Sequence, residues 1–113
     1  MRIEIKGRNV AVGDDLKERV EKKFAKVARQ VSELAELEVE LKEERNPSIS
    51  DSQVAEVTLH LKGKTLRARE RSPDMVHSIN LVAEDVARQV KRDRDKRRGR
   101  RETARVQPQP GAP

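Results

Sequence analysis

The sequence predicts an α+β fold of two layers, a four-stranded mixed sheet with two helices packed on one face, in the order β-α-β-β-β-α. Three observations lead there. Apolar and polar residues alternate with period two in four short runs, as a strand with one wet face requires. In two other runs the apolar residues recur at intervals of three and four, the spacing of an amphipathic helix. The first helical run lies between the first two strands, which calls for a right-handed crossover and a parallel strand pair. Because every strand alternates instead of being apolar throughout, both helices should cover one sheet face and leave the other to solvent.

In "RIEIKG", Ile3 and Ile5 alternate with Glu4 and Lys6, which makes the first strand. From Gly13 the spacing changes, and Leu16, Val20, Phe24, Val27 and Val31 mark a helix over about residues 13 to 31. Asp14 and Asp15 supply the negative charge that a helix N-terminus favours. "ELEVELKEER" then places Leu37, Val39 and Leu41 on one face and Glu36, Glu38, Glu40 and Lys42 on the other, a second strand. "NPSISDSQ" is turn chemistry. "VAEVTLHLKGKTLRARERS" reads as a hairpin that turns at Lys62-Gly63-Lys64, with Ala55, Val57, Leu59, Leu61, Leu66 and Ala68 facing inward. The wet face would carry Glu4, Lys6, Glu38, Glu40, Lys42, Thr58, His60, Arg67, Arg69 and Arg71. Ser72 is the expected cap of the second helix and Pro73 its first residue; Met75, Ile79, Val82, Val86 and Val90 form its apolar stripe. That helix is expected to stop near Gly99. The domain is therefore expected over residues 1–98, and residues 99–113, basic and then rich in Pro and Gln, form a tail or linker with little to bury.

At 113 residues the chain has room for one domain. It contains no cysteine, which excludes disulfides and thiolate chemistry and agrees with a cytoplasmic location. No apolar run approaches membrane-span length, and no membrane partner is expected. Neither His60 nor His77 has the spacing of a metal pair or of a catalytic base beside a nucleophile, and no Gly-rich phosphate loop is present. The expectation is a protein without catalytic residues, cofactor or metal. Phe24 is the single aromatic residue and sits on an apolar stripe, so recognition by base stacking is excluded.

Charge supplies the positive argument. Arg88 to Arg105 holds ten Lys/Arg against three acids, whereas the rest of the chain has sixteen against seventeen, so the whole excess of +6 arises in that segment. A partner dense in negative charge follows. With base stacking excluded, what remains is Lys/Arg contact with phosphates and recognition by shape, which suits a large, pre-folded RNA. The candidate RNA-binding residues are Arg88, Lys91, Arg92, Arg94, Lys96 and Arg97 on the second helix and Lys22, Lys23 and Lys26 on the first, where Arg29 adds a further cation. A solvated helix with interspersed charge pairs explains Lys17 to Lys26 as well as a binding face does, since Glu18 and Glu21 flank them. It explains Arg88 to Arg101 poorly, because so many cations repel one another unless something neutralises them.

The stretch "DMVHSINLVAEDVARQVKRDRDK", Asp74 to Lys96, resembles without a gap the second helix of the ribosome hibernation-promoting factor and ribosome-associated translation inhibitor A family. Ile5, Gly7 and Asn9 fit its "I.G.N" start, and Leu16, Val20, Lys23 and Lys26 fit its first helix, so the resemblance covers about residues 1 to 98. Val76 stands where the family usually has Tyr, and Asn80 where it often has Asp. The chain corresponds to a short-type member or to the N-terminal domain of a long one. The resemblance implies a cytoplasmic, non-enzymatic protein that binds the small ribosomal subunit and its rRNA near the decoding centre. It would compete with mRNA and with A- and P-site tRNA, silencing idle ribosomes in stress or stationary phase. It also implies a monomer, since the dimerising C-terminal domain of long members is not in the sequence, and an RNA-facing surface on the basic residues of both helices. Two alternatives make different predictions. A protein-interaction module, such as a transcription-factor modulator, would bind without RNA and tolerate charge reversal in the second helix. A general double-stranded RNA binder would take any A-form duplex equally.

Overall fold

The computed structural model describes residues 1–46 and 48–105, and for 98–105 the helical backbone alone. The elements are β1 (Arg2–Arg8), α1 (Asp14–Ala28), β2 (Glu36–Glu43), β3 (Gln53–Leu61), β4 (Lys64–Ser72) and α2 (Met75–Arg105). The sheet order is β1-β2-β3-β4, with β1 and β2 parallel and the other pairs antiparallel. This is the expected two-layer β-α-β-β-β-α arrangement.

The register shows why the alternation works. Ile3, Leu37, Leu59 and Leu66 form one cross-sheet row, and Ile5, Val39, Val57 and Ala68 the next. Onto these rows α1 sets Val20, Phe24 and Val27, and α2 sets Ile79, Val82, Val86 and Val90, all buried in one core. Each such side chain contributes on the order of 1.5–3 kcal/mol by leaving water. α1 packs against α2, and α2 lies over β3 and β4, where Gln89 Nε2 donates to the Arg67 carbonyl at 2.8 Å.

The opening "I.G.N" has a steric cause. A Cβ on Gly7 would meet the Val10 carbonyl oxygen and lie 2.7 Å from Val12 Cγ2, and Asn9 adopts φ 59°, which Asn tolerates better than most residues.

Three local expectations change, and one residue is buried where no expectation was made. α1 ends at Ala28 instead of 31, because Ser32 offers the chain a competing turn: its Oγ accepts from Leu34 N–H at 3.1 Å and its carbonyl from Ala35 N–H at 3.0 Å. Val31 still packs against the core. Ser72 does not cap α2. It is the last residue of β4 and is buried, and the cap is Asp74, whose Oδ1 accepts from Val76 N–H at 3.3 Å. Ser72 Oγ instead meets Ser78 Oγ at 2.7 Å, and Ser78 Oγ donates to the Gln53 carbonyl at 2.6 Å, tying the start of α2 to β3 and β4. α2 also runs through Gly99 to Arg105, past the helix end expected near Gly99. Lys and Arg are good helix formers, one Gly costs only about 1 kcal/mol, and cations favour a helix C-terminus. The expected tail beyond 105 lies outside the described residues. Finally, Val54 points to the sheet face opposite the helices yet is fully buried, between its cross-strand partners Lys42 and Arg71, whose aliphatic stems can cover it.

Candidate nucleic-acid interface

With Val20, Phe24 and Val27 turned inward, Lys22, Lys23 and Lys26 are exposed on α1. On α2 the inward stripe of Val82, Val86 and Val90 continues into Asp93, which is nearly buried. Arg88, Lys91, Arg92, Arg94, Lys96 and Arg97 are exposed. All nine expected residues thus face solvent on two helices of one layer, and Arg29 is exposed as well. Arg88 lies 3.7 Å from Asp85 and Arg97 3.4 Å from Asp93. The other seven make no ion pair among the described residues.

Asp93 also marks where α2 leaves the sheet. Its Oδ1 accepts from Lys64 Nζ at 2.5 Å, and Lys64 is the first residue of β4. Beyond this point Arg94–Arg105 continues as helix for about 18 Å at 1.5 Å per residue. The helical backbone therefore extends past the expected stop near Gly99.

The opposite sheet face differs in charge. Arg67, Arg69 and Arg71 lie on β4, with Glu56 directly opposite Arg69 on β3, while Glu4, Glu38 and Glu40 share the same face on β1 and β2. Arg69 pairs with Glu56 at 3.2 Å and Arg8 with Glu40 at 3.9 Å. Exposed pairs of this kind add little stability, but they mix both signs of charge on the sheet face. His60 lies on this sheet face with Nε2 3.4 Å from Glu38 Oε2, and His77 is exposed on α2. Phe24 has no exposed surface, so no aromatic ring is offered to a base.

Two cations missed in the sequence join the site. Lys62 and Lys64 read only as turn residues, but the fold sets them beside Lys96 and Arg97. A "KGK" turn was the available signal; its distance along the chain from α2 hid its meaning. A larger groove of about 580 Å³ opens at the same end, where Val31, Leu34, Leu61 and Val90 meet Arg94 and Arg97.

Known proteins resemble the chain over most of its length. A ribosome hibernation promotion factor of Picosynechococcus sp. (strain PCC 7002) is 33% identical over 102 residues, which are 89% of this chain and 53% of that protein. A ribosome hibernation promoting factor of Salmonella typhimurium is 34% identical over 96 residues, 85% of this chain and 96% of that one. The chain therefore spans about half of the first relative and nearly all of the second. Among solved structures, the N-terminal domain of Thermus thermophilus Protein Y superposes with a TM-score of 0.69 at 28% identity, covering 81% of this chain and 98% of that one. Residues 3–98 match the family described as Sigma 54 modulation protein / S30EA ribosomal protein, and the chain belongs to that family.

Proposed function

We propose that the chain is a non-enzymatic, ribosome-associated hibernation factor of the cytosol. It binds the small subunit near the decoding centre as a monomer and occludes the path of mRNA and of A- and P-site tRNA. The observation that carries this reading is the array of nine exposed cations on two adjacent helices, seven without an ion pair among the described residues, in a chain whose relatives are named as hibernation factors.

The mechanism follows from what the surface offers. Lys and Arg side chains grip phosphates whatever the base sequence, so affinity comes from counterion release. Selectivity comes from shape: the two helices fix the spacing of the cations, and a folded rRNA presents phosphates at a matching spacing where a plain duplex does not. Inhibition is then steric. The body behind α1 and α2 occupies volume that mRNA and tRNA need, and no bond is made or broken. Residues 1–98 carry the binding body.

The test is co-sedimentation of the protein with small subunits and whole ribosomes, with and without mRNA and P-site tRNA, beside an Arg88→Glu/Lys91→Glu/Arg92→Glu variant. Binding that the tRNA complex displaces and that the variant lacks is expected. No ribosome binding at low salt would overturn the reading and favour the interaction-module alternative.

A further inference from the structure

At the end of the sheet the hairpin turn and α2 enclose a hollow of about 230 Å³, lined by Lys62, Gly63, Lys64, Asp93, Lys96 and Arg97. Four cations meet one carboxylate there. The carboxylate is the inner member: Asp93 holds Lys64 Nζ at 2.5 Å on Oδ1 and Arg97 Nε at 3.4 Å on Oδ2, with its side chain 11% exposed. Both groups engage its charge, and it sets where they stand. Lys62 and Lys96 are exposed and make no ion pair among the described residues. The hollow therefore keeps an excess of positive charge. Gly63, at φ 72° with open space where a Cβ would stand, leaves one wall as bare backbone.

We propose that this hollow is a phosphate-binding site that holds one backbone phosphate of an RNA strand. The site is assembled before the ligand arrives, since Asp93 already fastens the β3–β4 turn to α2 across 29 residues of chain; little ordering is left to be done on binding. Arg97 offers guanidinium N–H donors and the lysines offer mobile ammonium groups, the donor set that charge-assisted hydrogen bonds to phosphate oxygens use. RNA is favoured over an acidic protein segment because Lys96 and Arg97 belong at once to the hollow and to the exposed stripe of α2. A strand lying along that stripe runs directly into the turn. The inference rests on the reading that α2 faces RNA, and it adds an anchor on the hairpin to the two helical sets.

Two measurements on the full chain separate this site from that reading. In the first, ¹⁵N–¹H spectra are recorded during titration with inorganic phosphate, against chloride at equal ionic strength, for the wild type and a Lys62→Gln/Lys96→Gln variant. Phosphate-specific shifts confined to residues 62–64, 93, 96 and 97, absent from the variant, are expected. Shifts that chloride reproduces, or that spread equally over the lysines of α1, overturn the site. In the second, the variant is titrated onto small subunits over a range of salt, and a loss of about tenfold in affinity at low salt is expected, with a slope shallower by about 1.5 for the two lost contacts. Unchanged ribosome affinity and slope overturn the assignment to RNA, as does phosphate displacement by polyglutamate but not by an RNA duplex. Phosphate-specific shifts in a protein that does not bind ribosomes would instead refute the ribosome reading and leave the anion site standing.

Discussion

Neutralising Lys91, Arg92 and Arg94 together should change how binding responds to salt more than it changes the fold. All three are exposed, lie off the Val82-Val86-Val90 stripe and make no ion pair among the described residues, so a Lys91→Gln/Arg92→Gln/Arg94→Gln variant removes charge without opening the core. Seven of the nine candidate cations are unpaired in this sense, and if each displaces a counterion from a phosphate, log affinity falls with log salt at a slope of about −5 to −6. Raising salt from about 0.1 to about 0.3 M should then weaken wild-type binding by roughly 200- to 1,000-fold. With three contacts gone the slope falls to about −3 to −3.6, and the same change of salt costs only about 20- to 50-fold. The assay is titration of fluorescently labelled protein with small ribosomal subunits at five or six salt concentrations, with circular dichroism to show that the helices persist. A variant slope within about half a unit of the wild type would refute the reasoning. In that case α2 does not meet phosphates, however basic it is.

Other consequences are local. Gly7→Ala should destabilise by about 1–3 kcal/mol, because the new methyl overpacks against the Val10 carbonyl and Val12; thermal melting checks this, and an unchanged midpoint would count against the described 7–12 turn. Ser78→Ala should cost about 1–3 kcal/mol by leaving the Gln53 carbonyl without its hydroxyl donor, whereas Val76→Ala, at a half-buried position nearby, should cost less in the same melts. Phe24→Ala, at a residue with no exposed surface, should cost about 3–5 kcal/mol. Leu34→Ser, at a residue 90% exposed, should fall within about 0.5 kcal/mol of wild type; equal effects from these two changes in urea denaturation would contradict the described core.

The two layers, the element order and the parallel first pair were legible because side-chain periodicity is a local property. Ile3 and Ile5, Leu37 to Leu41, and Ala55, Val57 and Leu59 alternate with polar neighbours whatever surrounds them, and burial then fixes register, since a one-residue slip would turn a whole strand inside out. The outward direction of Lys22, Lys23, Lys26 and the α2 cations followed from the same arithmetic. Element ends were less legible. Ser32 and Asp74 decide them through hydrogen bonds to nearby backbone groups, and Ser32 competes with continued helix on terms that composition does not display. Ser72 looked like a cap because it precedes Pro73, but the helix starts at Met75, and the Ser72 hydroxyl bonds to the Asp74 backbone and to Ser78 Oγ, which only the approach of β4 and α2 brings near.

By itself the sequence determined where the charge resides, that no exposed aromatic can read a base, and which face of each helix looks outward, because these depend on composition and on spacing along one element. Only the tertiary structure decided that Asp93 is an inward-facing anchor instead of one more surface acid, that Val54 is buried on the face opposite the core, and that Lys62 and Lys64 share a hollow with Lys96 and Arg97. Those facts arise from contacts between residues far apart in the chain, 29 positions in the case of Lys64 and Asp93, and no periodicity within a single element carries information about them.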